Sequence, residues 1–588
     1  LCIVEGDSAK AGAVSGLSKE NRRTIGVYPL KGKLMNVRGE KPSKISENKE
    51  IVELKQIIGL ESGKVYTEET LKLKLRYGKI IFLTDQDLDG THIKALCVNM
   101  FQSEWASLLN IPGFIGFMNT PILKARNGRA ELSFYNDGEY EEWKRTTDVR
   151  GWTMKFYKGL GTSTSKEFKE YFAQKKIVSF ESTGNKCEDM IDMLFNKKRS
   201  NDRKAWLSTY DRERFMDTNN DNVSYSDFIN REMIHFSKYD CDRSIPNLID
   251  GLKISQRKVL YAAFKRRLTT EIKVAQFSGY VSEHSAYHHG EQSLNGTIVN
   301  LAQNFVGSNN INIFDPLGQF GTRLQGGSDS ASERYIFTKL NTITRYIYRS
   351  EDDDVMKYLM DDGMSVEPIW YAPIIPMILV NGSMGIGTGF STDIPPFSPE
   401  DIIRYIKYKL EPDASIQPSI SMYYRGFIGK IDKTTDDKYI IRGCYTVSGN
   451  VVHVTELPIG MWTDNYKEHL EKLIQGDDKK KGSLVKEYID MSTDVVIDIK
   501  ITLHKDVVSE YSKKIDENNV TGLEKLLKLT TTKTITNMHA FDENERLVKY
   551  NTPEEMIDSY IPVRFGVYEK KKAAMLSNMK NELVRLSN

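Results

Sequence analysis

The stretch KIIFLTDQDLDGTHIKAL, residues 79–96, carries carboxylates at alternate positions: Asp85, Asp87 and Asp89. D-x-D-x-D-G is also how an EF-hand calcium loop begins. Counted from Asp85, however, its last ligand position holds Leu96, where that loop needs a bidentate glutamate. The residues before the acids, IIFLT, are apolar and largely β-branched or aromatic, so a buried strand and not a helix leads into them. Carboxylates just past the carboxyl end of a strand stand where open α/β sheets bind ligands. The opening LCIV puts Glu5 at the same kind of position, followed by the small residues GDSA. Carboxylates gathered there raise one another's pKa unless a cation neutralises them. An all-oxygen set suits Mg²⁺, which takes phosphate oxygens as further ligands. The expected site is a metal-dependent phosphate centre built from Glu5, Asp85, Asp87 and Asp89. A solvated acidic turn would account for the aspartates but not for Glu5.

Those acids need a sheet to hold them. From Leu1 to about residue 120, apolar strands (LCIV, KIIFLT, FIGFMN) alternate with helix-compatible stretches, as in an α/β domain with a largely parallel sheet. Residues 120–225 are charged and mixed, and end in the turn-rich DTNNDNVSYSD, which reads as a linker or boundary. The chain from Phe228 to about 365 is helical and basic, then Gly-rich. Residues 366–550 hold β-rich segments such as YIIRG and VVIDIKITLH, expected to form an α+β domain. Tyr568 to Asn588 reads as a helix with Leu576, Met579, Leu583 and Leu586 at coiled-coil spacing. It ends without a capping signal and Leu1 opens inside a strand pattern, so both ends read as cut.

The composition agrees with several domains: 588 residues, 39% hydrophobic and 10% aromatic, supply more than one core. With 82 Lys and Arg against 80 Asp and Glu, the net charge is only +2, so a polyanionic partner must be held by local basic patches. The five cysteines are far apart with no C-x-x-C pair, which argues against a structural zinc or a disulfide framework and favours a reducing intracellular compartment. No apolar run approaches the ~20 residues of a membrane span, so a soluble protein without a membrane partner is expected.

Several constellations suit nucleic acid. Residues 228–267 place Lys253, Arg257, Lys258, Lys265, Arg266 and Arg267 at spacings that share a helix face, although a merely solvated basic face is the competing reading. Arg203 and Lys204, with KKR at 197–199, form a second patch. His288 and His289 are adjacent, and neighbouring side chains rarely converge on one ion. GIGTG at 385–389 follows PMILV, read as an apolar strand, but it misses the G-x-G-x-x-G register and has no G-K-[ST].

These segments together resemble the type IIA DNA topoisomerases. EGDSA (5–9) and DQDLDG (85–90) look like the two signature motifs of their Toprim domain. PLKGKLMNVR (29–38) and YKGLGTST (157–164) are similar to two further stretches that Toprim primases and nucleases lack. FGTRLQGGSDSASERYIFT (320–338) resembles the catalytic-tyrosine segment of the eukaryotic-type enzymes, with Glu333 where proline is usual, and residues 228–267 are similar to the start of the breakage-reunion region.

The resemblance implies a multi-domain α/β and α+β chain: Toprim over 1–125, a Toprim extension and linker over 126–225, a winged-helix domain with the catalytic tyrosine over 226–365, a tower over 366–555, and the start of a C-gate coiled coil over 556–588. It implies Tyr335 as nucleophile and Arg334 as stabiliser of the transition state. It assigns two Mg²⁺ per site, one on Glu5 and Asp85 and one on Asp85 and Asp87, with Asp89 in support. DNA contact would fall to Lys33, Asn36, Arg203, Lys204, Lys253, Arg257, Tyr287, His288, His289 and Ser293, with Ile386 wedged between base pairs. The expected activity is Mg²⁺-dependent, transient double-strand DNA cleavage and religation through a 5′-phosphotyrosine in a homodimer. Strand passage would use ATP through an N-terminal ATPase region that this sequence lacks. Acids and tyrosine on one chain point to the eukaryotic or large-DNA-virus type, nuclear in a cell and in host cytoplasm or nucleus for a virus. Two alternatives stand beside it: a Toprim nuclease, which would not need Tyr335, and a non-catalytic DNA-bending protein, which would tolerate loss of Glu5 and Asp85.

Overall fold

The computed structural model describes residues 1–587 except 158, 362–363, 412–415, 477–482 and 514. It divides into two compact units, Leu1–Cys241 with Gly387–Phe390, and Asp242–Ile386 with Ser391–Asn588.

The first unit is built on a six-stranded sheet in the order Val27–Leu30, Cys2–Glu5, Ile80–Leu83, Ile115–Met118, Ile177–Glu181, Asn222–Ser224. The first four strands are parallel, and Ile177–Glu181 runs antiparallel to Ile115–Met118. Every residue of Ile80–Leu83 is buried, as a strand covered on both faces requires. Side-chain alternation sends Ile3, Ile80 and Phe82 into one core and Val4, Ile81 and Leu83 into a second. On the first side the helix Leu88–Trp105 buries Ile93, Leu96, Cys97 and Phe101. In the second core the helix Gly6–Gly16 approaches Ser165–Gln174 so closely that a Cβ on Gly12 would come within 2.3 Å of Phe168.

The segment DTNNDNVSYSD does not act as a boundary. It supplies the edge strand Asn222–Ser224, and Phe180 stacks on Tyr225 at 5.1 Å between ring centroids. The compact unit runs on to Cys241, past 225, and the stretch read as a Toprim extension and linker holds a separate three-stranded sheet (Leu123–Asn127, Ala130–Phe134, Thr153–Phe156) as well as two strands of the six-stranded one. The chain leaves through a helical stretch that contains a π-turn at Ile229–Met233.

In the second unit the helices Ile254–Arg266, Val274–His284 and Glu291–Ala302 surround a core that includes Val259, Phe277, Ile298 and Phe314. The strand Phe337–Thr338, just beyond Tyr335, pairs with Ile272–Lys273 and ties the tyrosine segment to this helical layer. A three-stranded sheet (Lys430–Thr435, Lys438–Arg442, Thr530–Thr534) and a four-stranded sheet (Cys444–Ser448, Val451–Glu456, Ile499–Leu503, Val485–Asp490) form the β-rich part. PMILV is not a strand: Met377–Asn381 makes a short helix with Pro376 at its N-cap, and pairing starts only with Ser383–Ile386 against Ser391–Ile394. The last helix, Pro553–Ser587, begins well before the expected Tyr568, and its Leu576, Met579, Leu583 and Leu586 are exposed. Among the described residues no helix is long and apolar enough to cross a membrane.

Candidate active site

Glu5 is the last residue of Cys2–Glu5, and Asp85 follows Ile80–Leu83 by two positions. Because Val4 lies opposite Leu83, the two strands end side by side and bring both carboxylates to one edge. The Asp85 N–H donates to Glu5 Oε2 at 3.3 Å. The Leu160 N–H donates to Asp85 Oδ1 at 2.6 Å, and this is the structural use of the YKGLGT stretch, whose Lys158 lies outside the described residues. Gly90 is required nearby, since a Cβ there would fall 2.1 Å from the Asp85 carbonyl oxygen. Asp87 caps the helix Leu88–Trp105 by accepting from the Gly90 N–H at 2.7 Å.

The electrostatics are those of a half-buried acid cluster that Lys33 and Lys94 offset only in part. Burial, then repulsion from Asp85, Asp87 and Asp89, pushes the Glu5 carboxyl up to about 7. Burial also raises Asp85, with Asp87 adding to it and the Leu160 N–H opposing it. Asp89 is drawn away to Lys33, whose Nζ lies 2.6 Å from its Oδ1 and 4.9 Å from the Phe236 ring centroid. Among the described residues no three His, Cys, Asp or Glu side chains close on one point as a metal cage. Glu5, Asp85, Asp87 and Asp89 still lie near enough to repel one another, with Asp89 held by Lys33. The donors that remain, Glu5, Asp85 and Asp87, are hard oxygens, and a nearby divalent cation would return Glu5 to its charged form, so their chemistry suits Mg²⁺.

Tyr335 and Arg334 belong to the second unit. Tyr335 is 72% exposed, whereas tyrosines such as Tyr225, Tyr405 and Tyr466 are buried, so its hydroxyl is open to a substrate. Arg334 is exposed too, with its guanidinium carbon 5.8 Å from the Tyr335 ring centroid. Glu333 does not loosen the segment, because its carbonyl accepts from the Ala275 N–H at 3.1 Å.

The expected DNA contacts divide. Ile386 stands 81% exposed at the end of Ser383–Ile386, and Ser293 and His288 are exposed, with His288 Nε2 3.3 Å from Asp361. Lys204 lies 5.3 Å over the Phe390 ring, and Lys253 donates to the Met384 carbonyl at 2.7 Å. Arg203 is committed to the carbonyls of Met193 and Asn196 at 2.9 and 2.6 Å. Asn36, Arg257 and Tyr287 are turned inward, contrary to expectation. Asn36 bonds the Phe195 carbonyl at 2.9 Å and accepts from Asn99 at 3.0 Å. Arg257 is buried in a two-bond ion pair with Asp250 at 2.6 and 3.0 Å, because its side chain points to the core side of the helix Ile254–Arg266. Tyr287 is buried edge-on to His289, with ring centroids 5.3 Å apart. Sequence reasoning missed Leu160 and Asp250. The G-L-G triplet was the only local signal of the first, and the second had none, since its role depends on which way Arg257 faces.

Comparison with known proteins agrees with this arrangement. The Toprim domain matches residues 1–119, the C-terminal associated domain of Toprim matches 118–241, and the A subunit of DNA gyrase/topoisomerase IV matches 243–588. DNA topoisomerase 2 of Plasmodium falciparum (isolate K1 / Thailand) is 45% identical over all of this chain, which covers 41% of that protein; that of Arabidopsis thaliana is 44% identical, with 40% covered. Homo sapiens DNA topoisomerase 2-beta is 43% identical, with 36% covered, so the chain spans about two fifths of its curated relatives' length. The crystal structure of the Plasmodium falciparum topoisomerase II DNA-binding, cleavage and re-ligation domain superposes with a TM-score of 0.80 at 44% identity, over 99% of this chain and 78% of that one. A Toprim sheet with acids at its carboxyl edge, continued on the same chain by a unit presenting an exposed Arg-Tyr pair, defines the Toprim-bearing DNA topoisomerases as its class. The chain belongs to the family of the DNA gyrase/topoisomerase IV A subunit.

Proposed function

We propose that this chain is the cleavage and rejoining core of a type II DNA topoisomerase, acting on double-stranded DNA as a homodimer. The observation that carries the reading is the exposed Tyr335 beside Arg334 in a chain whose Toprim carboxylates Glu5, Asp85 and Asp87 are all pushed above their ordinary range, led by burial. In this reading Tyr335 Oη attacks a DNA phosphorus. The phenolic proton passes to solvent water, the P–O3′ bond breaks with its electron pair going to O3′, which takes a proton from water, and the products are a 5′-phosphotyrosine and a free 3′-hydroxyl. Rejoining is the reverse, with the 3′-hydroxyl displacing tyrosine, so the phosphodiester energy is conserved. A phenol of pKa ~10 is mostly protonated at neutral pH, and Arg334 supplies positive charge for the phenolate and the charged transition state. Mg²⁺ held by Glu5, Asp85 and Asp87 would supply Lewis-acid stabilisation of the phosphate charge. The roles of these residues are to offer the ligands and to keep them oriented, Asp85 through Leu160 and Asp87 through Gly90. Lys204, Lys253, Ser293 and His288 meet the backbone and Ile386 enters the stack at a cost of a few kcal/mol. ATP-driven strand passage belongs to the whole protein and enters through sequence outside this chain.

The test incubates the chain with Mg²⁺ and end-labelled duplex DNA, quenches with denaturant and looks for protein on 5′ ends. Adducts that vanish in Tyr335→Phe support the reading. Cleavage without adducts, unaffected by that change, means a nuclease.

A further inference from the structure

The segment that carries Tyr335 is anchored well away from the tyrosine, on the four-stranded sheet. Arg323, 7% exposed, forms a buried ion pair with Glu456, 2% exposed, the last residue of the strand Val451–Glu456. Glu456 also accepts from the Leu457 N–H at 3.0 Å and from the Ile428 N–H at 3.5 Å. The loop backbone joins the same place. The Arg323 and Leu324 carbonyls accept from the N–H groups of Thr463 and Asp464 at 3.4 and 3.0 Å. These are the first two N–H groups of the helix Thr463–Gln475, which has no side-chain cap, so the tyrosine segment itself caps that helix. Gly326, at φ +64°, lies against Trp462 so tightly that a Cβ would come within 2.4 Å of the indole.

From this anchor to Tyr335 the chain is braced at each step. Thr322 donates through its N–H and hydroxyl to Asp329 at 2.9 and 2.6 Å, the Ala331 N–H reaches the Gln319 carbonyl at 2.9 Å, and the Tyr335 N–H reaches the Ser332 carbonyl at 2.9 Å. A buried ion pair is a weak source of stability, because desolvation offsets its attraction. What it provides is geometry, since a guanidinium held by a carboxylate fixes direction as well as distance.

We propose that Arg323 is a positioning residue for DNA cleavage: its ion pair with Glu456 uses the four-stranded sheet to set where the braced loop holds the Tyr335 hydroxyl. This rests on the reading of Tyr335 as nucleophile.

The test measures single-turnover adduct formation and DNA affinity for the whole 588-residue chain. Arg323→Gln and Glu456→Gln should each slow cleavage roughly 30-fold or more at saturating DNA, with Kd within about twofold, the scale expected of a misplaced reacting group. The double variant should be no slower than the worse single one, because both changes remove one interaction. Arg323→Lys should recover part of the rate. Arg442→Gln is the control for general destabilisation: it breaks part-buried pairs with Asp432 in the neighbouring three-stranded sheet and with Glu524 on the short helix Gly522–Leu526. It should lower Tm and leave the cleavage rate unchanged. Parental rates in folded Arg323→Gln or Glu456→Gln, or equal slowing by Arg442→Gln, overturn the inference while leaving Tyr335 intact as nucleophile. A parent chain without Tyr335-dependent adducts overturns both.

Discussion

The backbone N–H of Leu160 donates to the Asp85 carboxylate over 2.6 Å, across 75 residues of sequence. Asp85 is therefore aimed from two sides, by the strand that delivers it and by the loop at Gly159 that holds its oxygen. Among the described residues Glu5 has no comparable brace, since the amide that reaches it comes from Asp85 itself.

Gly159→Ala should expose this dependence. A Cβ there would stand 2.4 Å from Asp85 Oδ2, so the carboxylate must move. The backbone at Gly159 is extended, φ 164°, and alanine brings no strain of its own. Adduct formation should fall about tenfold or more with Tm within a few degrees of the parent, by analogy with other misplaced catalytic groups. A parental rate across a Mg²⁺ titration would refute the brace.

The inward Arg257 makes a different prediction from a phosphate contact. Asp250→Asn leaves the guanidinium buried beside a neutral partner and should cost about 3 kcal/mol of stability. Denaturant titration reads that loss. The slope of log Kd against log salt should stay unchanged, whereas Lys204→Ala should reduce it by about one phosphate's worth. An altered slope in an otherwise stable Asp250→Asn protein would restore Arg257 to the interface.

Ile386 separates bending from folding. At 81% exposure, Ile386→Ala should leave stability within about 0.5 kcal/mol, as surface changes generally do. If it wedges the duplex, the bend reported by energy transfer between dyes on the two DNA ends should fall. An unchanged bend removes Ile386 from the contact set.

Glu167 sets a pH dependence. Burial would raise its carboxyl, but the Lys155 ammonium, the Tyr157 hydroxyl and Thr164 outweigh it and hold the pKa at about 2, against an ordinary 4.5. A folded pKa below the unfolded one adds stability that is complete above pH 4.5 and disappears as pH falls toward 2. Glu167→Gln should cost on the order of 2 kcal/mol at neutral pH, with the gap to the parent closing through that acid window. Equal gaps at neutral pH and at the acid end would contradict this.

What the sequence made legible follows from which interactions are local. LCIV and KIIFLT announce buried strands because four or more apolar residues run without a break, and acids placed directly after them are positioned by strand ends alone. PMILV misleads by the same rule: a short apolar run has no period, and Pro376 tips it into a helix. The edge strand Asn222–Ser224 was hidden by its turn-rich surroundings, since its pairing is decided by Ile177–Glu181 many residues earlier. Arg257 and Asn36 were assigned outward because polar residue types say nothing about facing, and their buried partners, Asp250 and Asn99, are chosen only by the tertiary fold.

The acid cluster also has a history within each molecule. Glu5 and Asp85 lie 80 positions apart, and Leu160 another 75 beyond, so large loops must close before the three meet. Loop closure spends entropy before its contacts return anything, and mutually repelling carboxylates return less than most. On these grounds the chemistry-bearing edge is expected to close late in folding. A nascent chain halted short of Leu160 would hold the strands and both acids but lack the amide that aims Asp85.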